Sequence, residues 1–262
     1  MSVRSGLGAA HRRVLGSLYR RTVPVENRGP MVSFSFDDFP RTAYSAGGAI
    51  LEQFGARGTY YAAAGLVNTS NELGEHFSSE DLGSLVKKGH ELASHTFNHI
   101  SCRAVSCATF RKDVEKGRKA IGEVAGVDSA NFAYPFGHVT LRAKRTLGLD
   151  LSSARSSVPG FNGPEIDLNL LRANSLYGGR EGLQRMEGLI LENAKRKSWL
   201  IFYTHDVRPE PSRYGCTPEL LAAAVSCAVR SGCRILTVRE ALAEVGVHNG
   251  NPKGHARWHV PA

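Results

Sequence analysis

"MVSFSFDDFP", residues 31–40, is an apolar run that ends on two adjacent carboxylates, Asp37 and Asp38. The run reads as a core strand, and the Asp-Asp-Phe-Pro that closes it reads as the turn leaving that strand. Neighbouring like charges repel, and burying either without a partner is costly. Taken alone, the pair fits a solvated turn as well as it fits a site. The remainder of the chain decides between them.

Outward from this strand, β-rich runs alternate with helical patterns. Strands are predicted at 31–36, 57–63, 90–94, 130–134, 150–154, 170–174, 198–204 and 233–237. Helices are predicted near 43–54, 79–88, 107–124, 138–147, 181–196, 217–231 and 238–245. Alternation sustained this long predicts an α/β fold, a parallel sheet with crossover helices. Several strands read as continuous apolar runs, as expected where both faces are covered. No composition shift marks an internal boundary, so a single domain over 30–246 is expected. A basic extension (1–29) would precede it and a flexible Gly/Pro/His-rich tail (247–262) would follow.

The 262 residues are 42% hydrophobic and 22% charged, values that suit a globular chain with a sizeable core. No apolar run approaches the roughly 20 residues of a membrane span, so an integral membrane protein is not expected. Residues 1–28 hold six Arg and one Glu, so five of the nine net positive charges lie there. Elsewhere no basic run is interleaved with aromatics, and no nucleic-acid partner is expected. Leu7, Val14, Leu15 and Leu18 would line one face of an N-terminal helix. Packing on the parent domain is its expected role, with peripheral contact to anionic lipid as the alternative. His11, Arg12 and Arg13 interrupt any secretory h-region, which predicts a cytoplasmic protein. The five cysteines form no C-x-x-C pair or regular framework, which fits reduced thiols and excludes a Cys-built zinc site.

In a barrel, residues at the C-terminal ends of strands and in the loops beyond build the active site. Three more polar groups lie at such places. "HELASHTFNHIS" carries His95 and His99 at i, i+4, one helical turn apart and suited to a single metal ion. "NFAYPFGHV" turns at Pro135 and Gly137 directly after a strand. "WLIFYTHDV" ends on His205-Asp206, where an imidazole is placed for acid–base work near neutral pH. One carboxylate and two imidazoles would leave a divalent ion with open coordination, as catalytic rather than structural zinc sites do.

In "FSFDDFP", "GHELASHTFNH", "FAYPFG", "SARSSVPGFN" and "IFYTHDV", taken in order, the chain resembles the polysaccharide deacetylase family, carbohydrate esterase family 4, or NodB-homology domains. The likeness runs over about residues 31–245. It implies a distorted (β/α) barrel, usually seven-stranded, and a divalent metal, usually Zn2+. Carried over by position, it implies Asp38, His95 and His99 as metal ligands and Asp37 as catalytic base. Phe136 would supply an oxyanion-holding N–H, and His205 would be the general acid. Many relatives carry an Arg two residues before the Pro of the third motif; here Ala133 stands there. Arg155 in "SARSS" is named as its replacement beside Asp37. Phe39 stands where many relatives have Gly, and is expected to narrow the site mouth.

The implied activity is removal of acetyl groups from an N-acetylated saccharide of a polysaccharide or oligosaccharide. The alternatives are an O-acetyl esterase or other amidohydrolase using the same site, or a catalytically inactive glycan-binding barrel.

Overall fold

The run Met31–Asp37 is buried along its whole length and is the strand about which the sheet is built. The computed structural model describes residues 14–25 and 29–248, and the backbone of 257–259. The first half of the chain gives β1 (Arg20–Pro24), β2 (Met31–Asp37), a π-helical turn (Ala43–Gly48), α1 (Ala49–Gln53) and β3 (Thr59–Ala62). A small hairpin, β4 (Ser70–Asn71) and β5 (Gly74–Glu75), precedes α2 (Ser79–Lys87), β6 (Glu91–Ser94) and α3 (Cys107–Ala125). The second half gives β7 (Asn131–Ala133), α4 (Leu141–Leu147), β8 (Ser153–Arg155), β9 (Glu165–Asp167) and β10 (Asn174–Ser175). Then come α5 (Leu183–Arg196), β11 (Trp199–Thr204), α6 (Pro218–Arg230), β12 (Arg234–Ile235), α7 (Val238–Glu244) and β13 (Arg257–His259).

Seven parallel strands run in the order β10-β11-β2-β3-β6-β7-β8, and β12 adds to the first residues of β2. The sheet curls until its edges approach. Leu171 exchanges backbone hydrogen bonds with Ala154 and Ser156 just before the chain enters β10 on the opposite edge. The result is the expected distorted barrel with helices outside. Helix starts follow from local chemistry: Ser78 with Asp81 and Thr237 with Glu240 form capping boxes, and Thr217 caps α6 ahead of Pro218.

The strands alternate more than their apolar reading suggested. On β2, Phe34 and Phe36 face outward into the main core, where they meet Phe202, Leu200 and the helices. Ser33, Ser35 and Asp37 alternate with them and turn inward. The small interior holds polar groups beside apolar ones such as Met31, Trp199 and Ala133. Trp199 Nε1 donates to Ser33 Oγ at 2.9 Å, and Asn131 donates to Glu91 at 2.6 Å.

The N-terminal boundary differs from the expected one. β1 pairs with β9, and Arg21, wholly buried, donates to the carbonyls of Leu151 (2.7 Å) and Ser152 (2.5 Å). Lys144 Nζ donates to Leu15 O, Leu18 O and Asp167 Oδ2 at 2.6–2.8 Å. Residues 15–24 are therefore built into the body, because Arg21 finds buried carbonyls and Lys144 reaches carbonyls of this segment, pairings that the sequence does not reveal. The expected helix face that includes Leu7 lies partly outside the described residues. The tail is likewise not wholly apart, since β13 pairs antiparallel with β1. Among the described residues no helix is long and apolar enough to cross a membrane.

Candidate active site

The C-terminal strand ends converge on a cavity of about 510 Å³ lined by Asp37, Asp38, His95, His99, Arg155 and His205, among others. Strain concentrates there. Asp38, Phe39, Thr96, His99 and Phe136 are non-glycine residues with φ between +52° and +68°. Such backbone persists only where the surroundings hold it in place, and it marks functional loops. At Gly137 (φ +63°) the close approach is strict, because a Cβ would collide with the Ser157 side chain.

Successive strand residues such as Asp37 and Asp38 ordinarily point to opposite sides. Both line the cavity instead, because Asp38 leaves the strand in the left-handed conformation. Their partners differ. Asp37 receives Arg155, whose Nη2 lies 2.5 Å from both carboxylate oxygens. Asp38 faces imidazoles: its Oδ1 is 3.0 Å from His99 Nε2 and 3.4 Å from His95 Nε2, and its Oδ2 is 3.9 Å from His205 Nε2.

His95 and His99 are not on a helix. They lie in the loop after β6, and positive φ at Thr96 and His99 folds that loop so both rings reach Asp38. Potential ligand atoms of Asp38, His95 and His99 all lie within 4.8 Å of one another. His95 Nδ1 is 2.8 Å from the Ala133 carbonyl, to which it can only donate, so Nε2 keeps its lone pair for the cavity. Burial pushes the His95 pKa down to about 4 and keeps the ring neutral. Burial would raise the Asp38 pKa, but the His99 hydrogen bond and the neighbouring imidazoles hold it well below the usual carboxylate range. Although His99 Nε2 is near, Asp38 Oδ1 makes no hydrogen bond of good geometry while buried. A neutral imidazole with a free lone pair and a buried carboxylate oxygen lacking a well-formed bond are what a divalent cation requires. The residues fit a metal.

His205 follows β11. Its Nδ1 is 3.2 Å from the Tyr214 carbonyl, an acceptor, which leaves Nε2 on the cavity side near Asp38. Asp206, wholly buried, shapes the loop that brings Tyr214 back, accepting from Ser212 N and Oγ at 2.8 and 2.5 Å. Phe136 sits in the turn Pro135–Gly137 after β7, its ring 4.5 Å from that of His99.

One expectation fails. Phe39 does not narrow the mouth: its ring is fully buried, stacked 4.9 Å from Phe77 and equally near Tyr60. The left-handed backbone at Asp38 and Phe39 turns it into the core. Other cavity residues had no sequence signal, namely Tyr177, Tyr203, Arg213 and Tyr214 on one wall and Asn71, Glu72 and Leu73 on another. Tyr203 alone was in view, inside the quoted "IFYTHDV".

The profile of the polysaccharide deacetylase family matches residues 25–151, a stretch that holds Asp37, Asp38, His95, His99 and Phe136 but ends before Arg155 and His205. No curated protein sequence matches the chain. Among solved structures, a carbohydrate esterase family 4 domain of a multidomain xylanase from the hindgut metagenome of Trinervitermes trinervoides is 20% identical (TM-score 0.59). That match covers 83% of this chain and 92% of the other. A family 4 acetyl xylan esterase from Clostridium thermocellum, in complex with cobalt, is also 20% identical over 83% and 92% of the two chains (TM-score 0.58). A family 4 pseudoenzyme from Bacillus anthracis is 14% identical over 82% and 66% (TM-score 0.54). At such identities these neighbours establish the barrel fold.

Proposed function

We propose that the chain, matched by the profile of the polysaccharide deacetylase family over residues 25–151, is a member of that family and a metal-dependent hydrolase that removes acetyl groups from N-acetylated sugars of a glycan. The observation that carries this reading is the convergence of Asp38, His95 and His99 on one point, with Asp37 and His205 lining the same cavity.

The N/N/O donor set suits Zn2+, which Asp38, His95 and His99 would hold. When bound, such an ion supplies Lewis acidity beside the acetyl carbonyl. The chain's own groups do the rest. Asp37, held by the Arg155 guanidinium, takes the proton of the attacking water. The Phe136 N–H donates to the oxygen that gains charge, a contribution of ~10²–10³ in rate. His205 delivers a proton from Nε2 to the departing amine while Tyr214 O fixes Nδ1, a role worth ~10²–10⁴.

Acetate release from N-acetylglucosamine oligomers, with zinc-loaded and with chelator-treated protein, tests the reading. Release that needs the metal supports it. Release only from O-acetylated xylan would move the assignment to an esterase, and release from neither set by a zinc-loaded protein would favour an inactive glycan-binding barrel.

A further inference from the structure

Arg155 and Asp37 stand on opposite walls of the curled sheet. Asp37 ends β2 near the middle, and Arg155 ends β8 at the far edge, in register with Ala133 of β7. The arginine therefore crosses the interior on a long flexible side chain to reach the carboxylate. The interior offers little to hold it: Ala93 and Ala133 are small, and among the described residues the guanidinium's other hydrogen bond of good geometry is a 3.3 Å one from Nη1 to Ser156 O. Contact with Asp37 is through a single nitrogen, Nη2, not through the two-pronged fork that normally fixes arginine on a carboxylate.

Two aromatic rings stand where that restraint is missing. The guanidinium carbon is 5.0 Å from the ring centroid of Tyr61 and 5.0 Å from that of Tyr203. Tyr61 belongs to β3 and Tyr203 to β11, the two strands that flank β2. Tyr61 pairs in register with Asp37 itself, is wholly buried, and packs on Ala93 and Ala133. Its hydroxyl makes no hydrogen bond of good geometry. The guanidinium lies over the Tyr61 ring, and the hydroxyl also interacts with Arg155. Tyr203 is half-buried, lines the cavity, and meets Tyr177 edge-on at 5.5 Å.

We propose that Tyr61 and Tyr203 are positioning residues, an aromatic clamp that holds the Arg155 guanidinium so that it orients Asp37. The proposal rests on the reading of Asp37 as the base. A desolvated cation between two ring faces is restrained in the plane of approach, which a hydrated arginine of the same reach is not. The clamp also requires a flat cation, so Arg155 is not exchangeable with Lys even though one nitrogen alone touches Asp37.

The test is acetate release by the zinc-loaded full chain, with kcat, KM and metal content measured for Tyr203→Leu, Tyr203→Phe, Tyr61→Phe, Arg155→Lys and Asp37→Asn. Tyr203→Leu is expected to lower kcat roughly 10- to 100-fold with KM and zinc content near wild type, the scale of a lost desolvated cation–π contact. The phenylalanine variants keep the ring faces and should restore kcat to within a few-fold of wild type. In the Arg155→Lys background, Tyr203→Leu should cost little more, because both changes remove the same restraint. Wild-type kcat in Tyr203→Leu overturns the clamp, as does a raised KM with kcat unchanged, which would make Tyr203 a substrate wall. An equal loss in Tyr203→Phe would assign the effect to the hydroxyl and overturn it too. If those failures occur while Asp37→Asn is crippled, the base assignment stands without the clamp. If Asp37→Asn turns over normally, both fall.

Discussion

Two buried carboxylates at opposite ends of the same barrel show what separates a structural acid from a site. Glu91 opens β6 at the closed end. It accepts from Thr59 Oγ1 at 2.9 Å, Asn131 Nδ2 at 2.6 Å and the Arg239 N–H at 2.8 Å, at the start of α7. Burial pushes its pKa up, against those hydrogen bonds. Asp38 is also buried, but at the open end, with one oxygen lacking a well-formed bond and two histidine nitrogens converging on it. Satisfied donors around Glu91 stiffen the barrel floor. At Asp38 the bonding capacity is left for something that arrives.

The strongest way to break that contrast is Asp38→Ala. It removes one of the three proposed protein ligands, so zinc retention and acetate release should both collapse, while the melting temperature of the metal-free protein should change little. Zinc measured by mass spectrometry beside turnover decides it. Should the metal stay bound, the two carboxylates have been assigned the wrong way round.

A smaller effect is expected at the neighbour. Asp37→Asn keeps the shape and removes the proposed base, so zinc content should hold while kcat falls by ~10²–10⁴. The contrast between the two adjacent residues fails if this variant loses its metal.

At the closed end the readout should be stability. Glu91→Ala strands three donors, two of them buried, and should cost about 2–4 kcal/mol in denaturant unfolding, with turnover per folded molecule within a few-fold of wild type. The sign with pH also follows. Folded Glu91 keeps its proton at pH values where the unfolded chain has released it, so stability falls as pH rises through that window. Glu91→Gln should flatten this fall, and an unchanged pH slope would mean Glu91 does not hold that proton.

The mildest test asks whether surroundings also decide reactivity among identical side chains. Burial pushes the Cys216 thiol up to about 12, and Cys102, Cys227 and Cys233 are buried, whereas Cys107 is half-buried. Iodoacetamide at pH 8 should label Cys107 first in the native protein and all five thiols after unfolding. Rapid native labelling of Cys216 would contradict the packing around it.

Much of the strand and helix order was legible because each segment carries its own period and punctuation. The run into Asp37 and the "WLIFYT" strand are examples. The family resemblance named Asp38, His95 and His99 together, yet the helical spacing proposed for the histidines was the wrong reason for their nearness. A loop with two left-handed residues brings them together, and no local pattern announces left-handed backbone at Thr96 or His99. Arg155 was legible only as an available cation in "SARSS".

What the sequence by itself determined is the set of strand ends and which polar residues stand on them, since hydrophobic periodicity and turn chemistry are local. What the tertiary structure alone decided is which way those residues face and whom they meet. Asp37 meets an arginine from the far edge of the sheet, held between tyrosines of two other strands, and Phe39 turns into the core. Arg21 and Lys144 tie the chain's beginning to its middle. These pairings depend on sheet order, curl and backbone handedness at a few strained residues, quantities set by long-range packing that no short stretch of sequence contains.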